Sequence, residues 1–150
     1  MWEINGLPLH PLVVHAAVVL GPVAAVSALA YVGLPKHRDR LRWVTLVAVL
    51  LAAGSIWAAY LTGNNFFTSG HFDNFSQKIL DRIRTHQRYA RTLRWITTGF
   101  AVVTVLATWL HSRTGAWRIV LGSLVVIGAV FTLTWIALTG EAGARAVWGS

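Results

Sequence analysis

Residues 11–34 read PLVVHAAVVLGPVAAVSALAYVGL, a run without Asp, Glu, Lys or Arg. A bilayer core of roughly 30 Å takes about 20 helical residues to cross. Inside it the backbone must satisfy its own hydrogen bonds, so such a run spans as a helix. Pro11 suits a first helical turn and Pro35 closes the run. Pro22, in mid-run, predicts a kink. The run is longer than the apolar core of a signal peptide and has no Lys or Arg before it, so it is expected to be retained.

Three further runs repeat the pattern. The second covers Leu41 to Thr62 and is expected to stop at Gly63-Asn64-Asn65. The third is apolar from Trp95 to Leu110, and the fourth runs from Trp117 to Thr139, stopping at Gly140. Their cores carry no acidic or basic side chain. The fold class follows: all-α, a polytopic membrane protein, one four-helix transmembrane bundle over residues 1–150 built from two helical hairpins. The expected helices are about 11–34, 41–62, 74–111 and 117–139.

The composition agrees. Hydrophobic residues make up 55% of the 150 and charged residues 12%, about half the usual charged share of a soluble domain. The formal charge of +8 sits in loops between apolar runs, where lipid headgroups rather than nucleic acid are the expected partner. The absence of cysteine excludes disulfides, thiol catalysis and cysteine-ligated metal. Trp43, Trp109 and Trp117 mark one membrane face, and Trp2, Trp95 and Trp148 the other. Ala24/Ala28 and Gly54/Ala58, each four apart, predict close helix approach. Loop one holds Lys36, Arg38, Arg40 and Arg42 directly after an uncharged first helix, which leans towards termini outside a cell membrane and loops one and three in the cytoplasm.

The third helix extends beyond its apolar part. Phe75, Ile79, Ile83, His86, Ala90, Leu93 and Thr97 fall on one stripe, with Arg84, Arg88 and Arg91 opposite, so a single helix is expected from Asn74 to Leu110. The stripe alone reads as an interfacial helix. The two halves of the chain also look alike. Each hairpin closes on Leu-Thr-Gly (61–63 and 138–140), and each is expected to begin with an inward-facing histidine, His15 and then His86. Such a repeat relates the halves by a pseudo-twofold along the membrane normal.

Of six histidines, His37 and His111 fall on the loop-one and loop-three side and read as interfacial. His10, His15, His71 and His86 fall on the other side, with Glu141. Three readings stand. His15 and His86 are the axial pair of a b-type haem, with Trp57, Tyr60, Tyr89 and Trp135 around the ring. Or His10, His15, His86 and Glu141, with or without His71, hold a metal ion, for which imidazole and carboxylate suit zinc, copper, nickel or iron. Or the histidines bond neighbouring helix ends, including Thr62 and Thr139. No intramembrane acid or arginine points to a coupled ion transporter, and no nucleophile–base–acid set points to a hydrolase.

The stretch Gly6-Leu-Pro-Leu-His10-Pro-Leu-Val-Val-His15 resembles the opening of a bacterial membrane family, the domain-of-unknown-function family twenty-two thirty-one. Leu61-Thr62-Gly63, His86 and Thr139-Gly-Glu141-Ala-Gly143 resemble it too. The resemblance spans nearly the whole chain. It implies four helices, and members that occur alone or joined to Rieske-type redox domains. Through a distant likeness to b-type cytochrome bundles it also implies a haem. This chain departs from the pattern at Glu141, where a histidine is common, and at Asn64, Asn65 and Phe66, where an acidic residue is common. The expectation is therefore a b-type cytochrome-like electron-transfer or redox-partner protein. His15 and His86 ligate haem b in it, and His10 lies near a propionate or partner. The alternative is a non-haem metal-binding or solute-handling protein, or a structural subunit of a membrane complex, alone or as a homo-oligomer.

Overall fold

In the computed structural model, which describes residues 2–70, 72 and 74–149, four long helices dominate. They are α1 (Leu9–Gly33), α2 (Arg38–Thr68), α3 (Gln77–Trp109) and α4 (Ala116–Trp148). A short 3-10 turn, Pro35–His37, joins α1 to α2. The closest packing is within each hairpin, α1 on α2 and α3 on α4. Contacts of α2 with α3 and of α1 with α4 close the ring.

Leu9–Gly33, Pro35–Thr68 and Ala116–Trp148 are long and apolar enough to cross a membrane. α3 is not among them, although its 33 residues make it about 50 Å long. Arg82, Arg84, Arg88, Arg91 and Arg94 charge its first half, which leaves only the part from Trp95 onward apolar. α3 nonetheless belongs to the bundle, because Thr97, Phe100, Thr104 and Ala107 are all buried.

Two helices run past their expected stops. Gly63-Asn64-Asn65 lies inside α2, which continues to Thr68, and Gly140 lies inside α4, which continues to Trp148. A helix tolerates an interior glycine at a cost of about 1 kcal/mol. One element was not expected. Glu3–Ile4 pairs antiparallel with Leu7–Pro8 across Asn5-Gly6, both at positive φ. Asn-Gly is the sequence signature of that two-residue turn. The β-hairpin lies at the end of the bundle where α1 begins, and the Trp2 amide donates to Asn65 Oδ1 on α2 at 2.9 Å.

The core is built from small residues. Ala24, Ala25, Ala28, Ala52 and Ala129 are fully buried, with Tyr31, Val49, Phe100 and Val125 between them. Lipid is as apolar as leucine, so burial of apolar area does not drive membrane helices together. Close van der Waals contact does, and alanine allows it. Ala24 and Ala28 act as expected. Gly54 does not: it faces outward, with nothing within 4 Å of where a Cβ would stand.

Candidate functional site

At the end of the bundle that carries the β-hairpin, His10 of α1 and His86 of α3 meet across the diagonal. Their ring centroids are 6.4 Å apart, with the planes near perpendicular at 69°. Each ring is fixed by the other helix of its own hairpin. His10 Nδ1 lies 3.0 Å from the Ala59 carbonyl of α2 and 3.4 Å from Thr62 Oγ1. His86 Nδ1 lies 2.9 Å from the Thr139 carbonyl of α4. A carbonyl only accepts, so each Nδ1 carries the proton. In the neutral ring, Nε2 is then a free lone pair.

The two anchors share one construction. Within a helix the carbonyl of residue i already receives the N–H of residue i+4. Its second lone pair is usable only if the side chain at i+4 does not cover it. For both histidines the i+4 residue is glycine. A Cβ on Gly63 would stand 2.8 Å from His10 Cε1, and one on Gly143 would stand 3.1 Å from His86 Cε1 and Nδ1. These glycines make room for imidazole rings; neither ends a helix.

His86 precedes the apolar stretch of α3. Burial holds its pKa below the ordinary 6.5, with the Thr139 hydrogen bond acting in the opposite direction. As pH falls, the unfolded chain takes up its proton first. The stability this group contributes is therefore fully present above about 6.5 and is lost as pH falls through that value towards the folded pKa. The melting temperature in detergent is expected to drop between pH 7.5 and 5, and His86→Gln should lose less over that range. An equal drop in both would show that other groups carry the effect.

The pair lines a cavity of about 70 Å³ with Val14, Ile56, Tyr60 and Ile136. Its inner wall is the buried cluster of Ala17, Ile56 and Leu93. On the outer side Phe66 lies 6.4 Å from the His10 ring and packs on Phe72, which packs in turn on Phe67 and Phe75.

The other expected site residues are placed differently. His15 does not face inward. It is exposed, and its Nδ1 bonds the Pro11 carbonyl one turn back at 2.6 Å. The stripe it shares, with Val19 and Val26, is itself exposed. The inward mate of His86 is therefore His10. Glu141 is exposed and paired with Arg145 at 2.6 Å. Among the described residues no three His, Cys, Asp or Glu side chains converge as a metal cage. His71 lies outside the described residues.

A bis-histidine haem does not fit this packing. The cavity between the two rings is about 70 Å³. Ligand pockets run from roughly 300 Å³ upward, and the macrocycle would have to displace the residues that line the cavity.

His111, expected to be merely interfacial, is a bridge at the opposite end of the bundle. The buried Tyr31 hydroxyl donates to the Ala107 carbonyl at 3.0 Å and lies 3.2 Å from His111 Nδ1, while His111 Nε2 lies 2.5 Å from Asp39 Oδ1. His37 is exposed on its turn.

The sequence did carry a signal for the inward pair. His10, Ala17, Ala24 and Tyr31 are seven apart, as are His86, Leu93, Phe100 and Ala107, and every non-histidine member of both rows is buried. Seven residues make close to two helical turns, so each histidine continues the packing stripe of its helix.

The family model for a predicted membrane protein (DUF2231) matches residues 6–150. The chain belongs to this family. Three apolar helices and DUF2231 membership make it an integral membrane protein in contact with lipid. No curated protein and no solved structure matches the chain.

Proposed function

We propose that this membrane protein binds one transition-metal ion between His10 and His86, with copper(I) the best match. The observation that carries the reading is the pair itself: two imidazoles with centroids 6.4 Å apart, each Nδ1–H held by a backbone carbonyl. Metal-ligating histidines are held in this way, with one nitrogen donating to a carbonyl and the other left for the metal. Metal–nitrogen bonds of about 2.0–2.1 Å on each side, plus the depth of two rings, give a centroid separation of roughly 6 Å.

The donor set narrows the ion. Zinc in a structural site takes four ligands, whereas copper(I) accepts two nitrogen donors. The walls are apolar, and no carboxylate among the described residues joins the pair. A monovalent ion costs less to desolvate there than a divalent one. An ion held in this way serves metal handling or one-electron transfer at the end of the bundle.

The test is metal analysis of protein purified in detergent, loaded with copper(I) under anaerobic reductant and washed. Wild type should retain about one copper per chain, and His10→Ala and His86→Ala should each lower apparent affinity more than about 100-fold. His15→Ala should bind like wild type. Undiminished copper in both the His10 and His86 variants would sink the proposal. A Soret band that disappears in those two variants would place a haem at the pair instead.

A further inference from the structure

Arg94 stands where α3 turns apolar, boxed by aromatic rings. Its guanidinium carbon is 3.9 Å from the ring centroid of Tyr60, 4.8 Å from Trp57 and 5.2 Å from Trp95. Ring faces attract its charge, but a guanidinium is also a fork of N–H donors suited to phosphate. Among the described residues Arg94 makes no ion pair, and its buried Nε has no acceptor.

Beside it an open groove of about 510 Å³ runs between α2 and α3, lined by Leu50, Gly54, Trp57, Ala101, Val102 and Val105. Gly54 shapes it, because no atom lies within 4 Å of a Cβ there. Trp57 connects the two features. Its ring faces Arg94, and its Nε1 donates 2.9 Å to Thr98 Oγ1, which also lines the groove. From Leu50 to Trp57 the groove follows two turns of helix, about 11 Å. Beyond Arg94, the exposed Arg91 and Arg88 have no ion-pair partner among the described residues.

We infer that this is a binding site for an anionic phospholipid. One acyl chain lies in the α2–α3 groove. The headgroup phosphate accepts from Arg94 and faces the charge of Arg91 and Arg88. The groove is apolar on a face turned to lipid, so an acyl chain is what covers it. The cationic end of the groove sits beside Trp95, and tryptophan together with arginine is the combination that suits the headgroup level. The site is separate from the His10/His86 pair and stands independently of the metal reading.

The experiment is native mass spectrometry of the full chain, released from nanodiscs of equal phosphatidylglycerol and phosphatidylcholine. Wild type should keep one phosphatidylglycerol per chain in preference to phosphatidylcholine by about tenfold. Arg94→Gln should abolish the preference. Gly54→Leu, whose Cβ would meet no atom within 4 Å and whose branched end would occupy the groove, should lower retention of both lipids. If Arg94→Gln does not yield folded protein, Gly54→Leu and the headgroup comparison decide the matter. Equal retention of the two lipids by wild type overturns the proposal. So does Gly54→Leu splitting a dimer into monomers without changing lipid retention, which makes the groove a protein interface.

Discussion

Gly63→Ala is expected to lower copper(I) retention at least about tenfold while the bundle keeps its helix content. The added methyl would stand 2.8 Å from His10 Cε1 and 3.0 Å from Nδ1, inside van der Waals contact. α2 is held along its length by α1 and α3, so the imidazole is what moves. Moving it breaks the 3.0 Å bond to the Ala59 carbonyl, which sets the direction of Nε2. The fold should hardly notice. Alanine in a helix is worth roughly 0.5–1 kcal/mol over glycine, which offsets a lost hydrogen bond of about 1 kcal/mol. Gly143→Ala should act in the same direction with a smaller effect, since its contact with His86 is 3.1 Å. Gly140 is the control. It matches Gly63 in the Leu-Thr-Gly repeat, yet nothing lies within 4 Å of its Cβ position, so Gly140→Ala should leave copper binding unchanged. Copper analysis beside far-ultraviolet circular dichroism checks all three variants. If Gly63→Ala and Gly140→Ala behave alike, the glycine at i+4 is not what admits the histidine.

Tyr31→Ala is expected to destabilise the bundle by roughly 3–5 kcal/mol, the range for emptying a buried aromatic site. Tyr31 is fully buried, and it ties α1 to α3 at the end of the bundle away from the histidine pair. Tyr31→Phe separates ring from hydroxyl. It keeps the packing but leaves the Ala107 carbonyl short of a donor and breaks the contact to His111, at a cost of about 1–3 kcal/mol. Asp39→Asn should cost less than about 1 kcal/mol, because the carboxylate is 93% exposed and solvent screens the pair. Denaturant titrations in mixed micelles give the three values. Tyr31→Phe as stable as wild type would make the hydroxyl a bystander and Tyr31 only a space-filler.

The limits of sequence reading show at two histidines. His10 and His15 stand five residues apart at the start of the same helix, with apolar neighbours on every side. In a soluble helix the polar face would have told them apart. α1 is apolar all round, so hydrophobic periodicity gives no facing direction, and His15 looked inward because it sits deeper in the run. What does give the direction is the row of small residues that close helix approach needs, with one large side chain, Tyr31, at its far end. Ala17, Ala24 and Tyr31 continue from His10 every seven residues, whereas Val19 and Val26 follow His15 onto the lipid side. The Leu-Thr-Gly repeat misled in a similar way, because its glycines read as helix stops from sequence, whereas Gly63 lies inside α2 as space for a ring and Gly140 lies inside α4 with nothing near it.

The sequence by itself determined that the chain enters a membrane as helices, and roughly where they lie. Hydropathy over about 20 residues decides insertion one segment at a time, with no knowledge of the partner segments. It also determined the charged first half of α3 and the end of the bundle at which His10 and His86 meet. Only the tertiary structure decided which histidines meet, that Gly63 and Gly143 admit them, that Gly54 opens a groove, and that Tyr31 and His111 lock the far end. Each of these is a contact between helices distant in the chain. In lipid such contacts are selected by fit between small surfaces, a property of pairs of helices that no single segment carries.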